Sequence, residues 1–392
     1  MWIERKIAPH IKDLAARRPA VLVTGCRQTG KTSLVRRIFP EADYVTLDVP
    51  VEAAEADESG AAFLRRHGSP LILDEVQYAK NLFRHLKVTI DRNRSSPGQY
   101  ILTGSQTFEL MAHTTESLAG RVSIVELHPL SLSELEEASG QVAEGERLAR
   151  WMLMGGYPEL HAAAIPPEEF YADYVATYLE RDVRQILQVR NLRDFDRFLR
   201  LCATRTGQLL NLGSFSADLG LSPNTVKSWM GVLEASGILA VVEPYFENLG
   251  KRIVKTPKLY FLDTGLCCYL AGLRTEQALL QSSLLGAFFE THVYTQLRRH
   301  LANTGRRVPV YFFRDHSGIE IDFVLAEGEK LRLIEVKWSE LPAIPHAPFE
   351  AVSRAAGEAR IRSRSVVTPQ RGQRMRKETL ITDSVDWTWL DR

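Results

Sequence analysis

Short apolar runs punctuate the chain up to Leu127. The segments AVLVTG, YVTLD, PLILDE, QYILTGS and VSIVEL each end in polar or turn residues and alternate with helix-like stretches such as KTSLVRRIF. Strands alternating with helices predict a parallel sheet in an α/β domain. Ligands in such sheets bind at the carboxyl ends of the strands, where Asp48, Asp74, Glu75 and Ser105 fall. Ahead of the first run, Trp2, Ile3, Ile7, Ile11 and Leu14 are scattered among charges, a pattern that predicts an amphipathic helix. It lacks the continuous apolar stretch of a signal peptide.

From Ser133 to about Phe198 the pattern is mostly helical, interrupted by the turn MGGYPEL and including the charged segment YLERDV. Next come two short predicted helices, a turn at GLSP, a longer helix from about Asn224 to Ser236, and two strands. Leu219, Val226, Met230 and Leu233 lie at helical spacing, and Ser222-Pro223 is a good helix start. This order matches a winged helix-turn-helix. The last third opens with the helix LLGAFFETHVYTQLRRHL and continues with strands at VPVYFFRD, IEIDFVL and LRLIEVKW, the last two joined by the turn AEGEK. A helix around Phe349 to Arg360, a strand SVVT and a short tail ending in WTWL complete an α/β unit.

Composition adds bounds rather than chemistry. The 392 residues favour two or three domains, and 45% hydrophobic with 25% charged residues is an ordinary globular mixture. The net charge of +1 names no partner. Its distribution is more telling: from Ala351 to Lys377 eight Arg or Lys face one acid, Glu358, so a local basic face is expected there. Cys26, Cys202, Cys267 and Cys268 show no metal-finger spacing and fit reduced thiols in a cytoplasmic protein. No run approaches the length of a membrane span.

The stretch Gly25-Cys26-Arg27-Gln28-Thr29-Gly30-Lys31-Thr32 fits GxxxxGK followed by Ser or Thr, between a strand and a helix. Glycines let the backbone turn its N–H groups around phosphate oxygens. Lys31 supplies charge to the β and γ phosphates of ATP. Thr32 offers a hydroxyl to Mg²⁺ and opens a helix whose N-terminus favours an anion. Gly25, Gln28, Thr29, Gly30, Lys31, Thr32 and Ser33 are therefore the expected nucleotide-binding residues. In LILDE, Asp74 at the strand end is expected to hold the Mg²⁺ water shell, and Glu75 to polarise the attacking water. Cys26 reads as a small residue facing away from the phosphates, with a redox role as the alternative.

A second constellation lies near the other end. Glu335 and Lys337 are two apart on an apolar strand and share a face, while Ile334, Val336 and Trp338 share the other. The hairpin through AEGEK brings Asp322 close to Glu335. Two such carboxylates can bind one divalent metal through oxygen, and Glu290 on the preceding helix is a further candidate ligand. The metal would activate water and neutralise a phosphodiester transition state, with Lys337 beside it. The alternatives are a hairpin with exposed charges and a nuclease-like fold that binds without cutting.

The first half resembles the AAA-type ATPases. That resemblance implies a γ-phosphate sensor at Ser105 or Gln106, and an arginine finger at Arg121 reaching a neighbouring subunit. The other reading of Arg121 is a surface ion pair with Glu116 or Glu126. Arg181 and Arg184 are weaker candidates for nucleotide contact from a helical lid. The set Glu290, Asp322, Glu335 and Lys337 resembles the PD-(D/E)xK nucleases. The blocks GCRQTGKT, LILDEVQ, ILTGSQ, ESLAGRV, GGYPEL, YLERDV, LYFLDTGL and GIEIDFVL…IEVK together resemble a prokaryotic family. Its members carry a AAA-type ATPase, a winged helix and a restriction-endonuclease-like C-terminal domain of unknown function. The expected layout is an ATPase core at 1–132, a lid at 133–195, a winged helix at 196–262 and the nuclease-like domain at 263–392. The implied function is ATP hydrolysis coupled to DNA binding and processing, including branched DNA such as Holliday junctions, in a homo-oligomer. The alternative is an ATP-switched DNA-binding regulator or scaffold whose nuclease-like domain is inactive. The longer helix offers Asn224, Thr225, Lys227 and Ser228 to a groove, and the arginines 360, 362, 364, 374 and 376 are expected to hold phosphates.

Overall fold

The computed structural model describes residues 2–105, 114, 116–163, 165–177, 192–245 and 254–391. Gln106, Arg181 and Arg184 lie outside the described residues. The first unit is a five-stranded sheet of β1 (Ala20–Thr24), β2 (Asp43–Thr46), β3 (Leu71–Asp74), β4 (Tyr100–Thr103) and β5 (Val122–Glu126), in the order β2-β3-β4-β1-β5. Every neighbouring pair is parallel. A parallel sheet needs both faces covered, and β1 is buried along its whole length. Its side chains alternate between two cores. Ala20 and Leu22 pack with Phe63, Phe83 and Leu86 of the helices Gly60–His67 and Leu82–Arg92. Val21 and Val23 pack with Ile7, Ile11, Leu34 and Val35, so the N-terminal helix Ala8–Ala15 and the helix Lys31–Ile38 cover the other face. The ends of β1, β3 and β4 then meet on one rim, at the crevice flanking the central strand. The outer strand β5 has one open side, where the Arg307 guanidinium donates to the Ile124 carbonyl at 3.5 Å.

After helices at Leu132–Ser139, Leu148–Met154, Pro158–Ala162, Pro167–Tyr174 and Leu192–Thr204, a small antiparallel sheet forms. It contains β6 (Gln208–Leu209), β7 (Leu239–Val242) and β8 (Lys258–Phe261), with β8 in the middle. One short helix, Leu212–Leu219, precedes the turn at GLSP, where two were expected. The Asn211 side chain caps it, and the Ser222 hydroxyl caps the following helix Pro223–Ala235.

The C-terminal sheet runs β13 (Arg374–Arg376), β14 (Thr379–Asp383), β12 (Ile361–Thr368), β11 (Lys330–Val336), β10 (Glu320–Glu327), β9 (Val310–Arg314). The tail thus contributes two strands that its polar pattern did not reveal; β13 is exposed throughout and forms the sheet edge. The helix expected around Phe349 to Arg360 is His346–Ala356, ended at Gly357, whose φ of 94° is open to glycine. Phe349 and Val352 of that helix cover Ile321, Val324 and Leu333 on one side of the sheet. On the other side the helix Leu285–Asn303 packs Phe288, Phe289 and Leu297 into a core with Ile334 and Val336. That core is continuous. It runs from Cys26 in the phosphate loop through Tyr157, Phe198, Trp229 and Phe261 to Trp389 and Leu390.

A buried carboxylate ties these parts together. Asp263 caps the helix Thr264–Leu270 by accepting from the N–H groups of Gly265 (3.0 Å) and Leu266 (3.1 Å). It also accepts from Gly156 N (2.8 Å), the Tyr171 hydroxyl (2.8 Å) and Arg299 Nη2 (3.3 Å). Arg299 in turn donates to the Leu130 and Leu262 carbonyls at 2.9 and 3.2 Å. The approach is close enough that a Cβ on Gly155 would lie 2.2 Å from Asp263 Oδ1, so the GGYPEL turn requires glycine there. Among the described residues no helix is long and apolar enough to cross a membrane.

Candidate functional site

The phosphate loop leaves β1 at Thr24 and enters the helix Lys31–Ile38 through Gly30, which is left-handed at φ 85°. Gly25 adopts φ 142°, and a Cβ there would sit 2.2 Å from the Leu127 carbonyl oxygen, so the chain can turn at this point only without a side chain. Gln28 also has positive φ, at 60°, backbone strain located in the loop itself. Thr29 closes the turn by donating its hydroxyl to the Cys26 carbonyl (3.0 Å). From beneath, the buried Arg5 donates to the Thr29 carbonyl (2.9 Å) and the His128 carbonyl (2.6 Å), and pairs with Glu134 at 3.3 Å.

Lys31 is buried, and its ammonium donates to two neutral acceptors, the Gly25 and Cys26 carbonyls at 3.2 and 2.9 Å. Burial holds this amine below its usual range, against the pull of the Glu75 charge. A buried cation resting on carbonyls fits an anionic ligand. Thr32 Oγ1 donates to Asp74 Oδ1 at 2.8 Å, and Tyr44 and Thr103 donate their hydroxyls to the same carboxylate, the Tyr44 contact at 2.9 Å. A hydroxyl in the first turn of the helix and a carboxylate at the end of β3 are the oxygen donors that Mg²⁺ takes, so Thr32 and Asp74 fit the metal. When bound, Mg²⁺ neutralises developing charge between the β and γ phosphates. Glu75 follows at φ 54°, a left-handed conformation rare for a non-glycine residue. Its N–H donates to Thr103 Oγ1 at 3.3 Å, and its carboxylate accepts from the Gln77 amide. Ser105 is buried just past β4, while Ser33 is exposed on the helix. Cys26 is buried with Sγ 4.0 Å from the Tyr157 hydroxyl, and burial raises its thiol to about 11, which leaves it protonated.

Arg121 makes a two-pronged ion pair with Asp91, Nε to Oδ1 at 2.7 Å and Nη2 to Oδ2 at 2.8 Å. Neither Glu116 nor Glu126, the partners expected for a surface role, takes it; Glu126 instead pairs with Arg298 at 3.2 Å.

The second constellation gathers where β10 and β11 part. Their register pairs Phe323 with Ile334, and just beyond it the Asp322 carboxylate accepts the Val336 N–H at 2.8 Å. Glu335 Oε1 accepts from Lys337 at 2.6 Å, while Glu335 Oε2 is buried with no hydrogen-bond partner. Glu290 reaches in from the helix Leu285–Asn303 and receives the Tyr260 hydroxyl at 2.5 Å. Carboxylate oxygens of Glu290, Glu320 and Asp322 all lie within 4.8 Å of one another. The expected ligand trio was Glu290, Asp322 and Glu335. In this cluster Glu320 stands beside Glu290 and Asp322, while Glu335 pairs with Lys337. Between these acids lies Lys258 of β8, 2.7 Å from Glu290, 3.9 Å from Asp322 and in contact with Glu320. Burial, then the charges of Glu290 and Glu335, push the Asp322 carboxyl well above the usual range. Burial works against the Lys258 charge, but Glu290, Asp322 and Glu320 outweigh it and raise its amine.

The arginines expected to form a basic face over 351–377 also make contacts within the chain. Arg362 pairs with Glu327 at 3.1 Å and Arg364 with Glu358. Arg360, Arg374 and Arg376 donate to the carbonyls of Glu329, Glu340 and Pro342.

Comparison with known proteins divides the chain into three matched stretches. Residues 17–136 match an AAA domain, 145–277 a domain of unknown function (DUF8612) and 285–382 a domain of unknown function (DUF4143). Two curated relatives, the uncharacterized proteins Rv2008c of Mycobacterium tuberculosis and Mb2031c of Mycobacterium bovis, are each 31% identical over 356 residues. The alignment covers 90% of this chain and 78% of each relative. The chain belongs to this family of AAA-type ATPases. Solved structures are more distant. A Walker-type ATPase of Pyrococcus abyssi is 17% identical, with a TM-score of 0.45, over 69% of this chain and 96% of that one. A RuvB variant of Thermotoga maritima is 20% identical, with a TM-score of 0.32, over 60% of this chain and 88% of that one.

In this AAA-type ATPase several functional-site residues were not visible from sequence alone. Thr103 and Tyr44, which orient Asp74, sit on strands remote from the motif. Arg5 lies in a charged N-terminal stretch where nothing marks it as the support of the phosphate loop. Lys258 opens the apolar strand KLYF, and a lysine at the head of so buried a strand was the one local signal of the carboxylates awaiting it.

Proposed function

We propose that ATP turnover at the phosphate loop drives binding and processing of DNA by the rest of the chain. In this reading residues 133–195 form a lid, 196–262 a winged helix and 263–392 a restriction-endonuclease-like unit. The helix Pro223–Ala235 supports a DNA-facing role by leaving Asn224, Lys227 and Ser228 exposed. Arg121 serves a neighbouring subunit's γ-phosphate after releasing Asp91, so the working form is an oligomer. Glu75 polarises the attacking water, and Ser105 senses the γ-phosphate. The observation that carries the DNA reading is the convergence of Glu290, Asp322, Glu335 and Lys337 at the open end of β10 and β11. Phosphodiester cleavage needs such acids and a cation beside the scissile phosphate.

A second reading, an ATP-switched DNA-binding regulator or scaffold that does not cut, is favoured by the Lys258 ammonium among the acids. ATPase and cleavage assays on single-stranded, duplex and four-way-junction DNA with Mg²⁺ and with Mn²⁺ separate the two. Under the first, Asp322→Ala eliminates cleavage and leaves ATP turnover intact. Wild-type protein that binds DNA in an ATP-dependent way yet cuts none of these substrates establishes the second. Protein that neither binds nor cuts any of them refutes both.

A further inference from the structure

We propose that Lys258 is the resident cation of the carboxylate cluster, and that it excludes a divalent metal from the place the nuclease resemblance assigns to one. Three acids from two elements, Glu290 on the helix Leu285–Asn303 and Glu320 and Asp322 on β10, bring their oxygens within 4.8 Å of one another. Lys258 Nζ contacts Glu290 and Glu320 directly and reaches Asp322 at 3.9 Å. Its side chain is 3% exposed, so the ammonium is committed to this site and has no path to solvent while seated. The second oxygens of Glu320 and Asp322 are occupied by Arg314 (2.5 Å) and the Val336 N–H (2.8 Å), and on Glu290 the Tyr260 hydroxyl (2.5 Å) shares Oε1 with the lysine. A divalent ion needs several of these oxygens at about 2.0–2.6 Å, and an ammonium among them stands in its way by volume and by charge. The metal therefore does not fit the site as it stands.

The lysine is borne by a different unit from its acids. It sits on β8, whose neighbours β6 and β7 close the small antiparallel sheet, and Tyr260 from the same strand reaches the same Glu290. Metal entry would require the Lys258 side chain to withdraw from the acids.

The inference starts from the nuclease-like reading of the C-terminal unit, so its test reads metal binding and uses no DNA. Full-length, nucleotide-free protein is titrated with Mn²⁺ alone, and bound ion is counted by electron paramagnetic resonance. Wild type is expected to show no Mn²⁺ binding that Asp322→Asn removes. Lys258→Met, close in volume and uncharged, is expected to bind one Mn²⁺ at least tenfold more tightly than wild type, with Asp322→Asn abolishing the gain. Wild type that already binds Mn²⁺ through Asp322 with the affinity of Lys258→Met overturns the proposal. So does a folded Lys258→Met protein that binds none. Should Lys258→Met fail to fold, Lys258→Gln replaces it under the same two criteria, and the wild-type titration decides by itself whether the site is closed. A failed DNA-cleavage assay leaves this result untouched, because the ion is counted directly.

Discussion

Replacing Asp263 with alanine removes the buried carboxylate that, among the described residues, joins Gly156 and the helix Pro167–Tyr174 to the helices Thr264–Leu270 and Leu285–Asn303. Five donors converge on it: the N–H groups of Gly156, Gly265 and Leu266, the Tyr171 hydroxyl and Arg299 Nη2. Losing the cap of the helix Thr264–Leu270 costs about 1 kcal/mol. Removing the partner of a buried charge costs about 3–5 kcal/mol. Arg299 keeps the Leu130 and Leu262 carbonyls, so the lower end of that range applies. The sum is about 4 kcal/mol, a large part of the roughly 5–15 kcal/mol that hold a domain together. Urea unfolding followed by tryptophan fluorescence measures it, since Trp387 and Trp389 are buried in the same core. The double variant Asp263→Ala/Arg299→Ala should be less destabilised than the sum of the single variants by at least about 1.5 kcal/mol, because the second change removes the charge the first left stranded. Additivity within about 0.5 kcal/mol, or a single variant within about 1 kcal/mol of wild type, refutes the assignment of Asp263 and Arg299 as a coupled pair.

Lys31→Ala should abolish ATP binding or hydrolysis, whereas Glu75→Gln should bind ATP normally and turn it over at least about tenfold more slowly; wild-type turnover by Glu75→Gln in a phosphate-release assay removes it as the base. Arg121→Ala should bind ATP yet hydrolyse it slowly, and mixing it with Lys31→Ala protein should restore activity. No rescue in demonstrated mixed oligomers leaves Arg121 with its Asp91 pair alone. Burial lowers His128 to about 4 and His292 to about 3, so both are neutral in the native protein where the unfolded chain already binds protons. Stability from these groups is full above about pH 6.5 and is lost as pH falls toward 4 and then 3. Denaturant midpoints between pH 7.5 and 4.5 should show this fall, and His292→Phe should flatten it.

The nucleotide site was legible because phosphate binding dictates backbone shape, and backbone shape dictates residue type at fixed spacing. Gly25, Gly30, Lys31 and Thr32 are adjacent in sequence, so their geometry is written in one window. Asp74 was readable from the break between an apolar run and two acids. Its supports were not, since Tyr44 and Thr103 reach it only through the strand order. The C-terminal acids were half legible. Asp322, Glu335 and Lys337 alternate on a hairpin that sequence can fold, but Lys258 and Glu320 meet across units, where no local spacing applies. The basic stretch shows a related limit. Counting charges over 351–377 ignores Glu327, which takes Arg362 from another strand. Arg121 found its acid on the helix Leu82–Arg92, likewise beyond any window that its own segment offers.

The open strand edges carry a consequence for how copies of this protein meet. An unpaired edge is a template on which another chain can add a strand. At β5 the Ile124 carbonyl is already occupied by Arg307, and β13 brings Arg374 and Arg376 to the rim of the C-terminal sheet. Two guanidinium groups on so short a strand repel a second copy of themselves laid alongside. Raising the protein concentration therefore does not favour edge-to-edge pairing through β13, the usual route from crowding to fibres. In the proposed oligomer, contact at this edge is left to side chains, which can let go again within each cycle of ATP turnover.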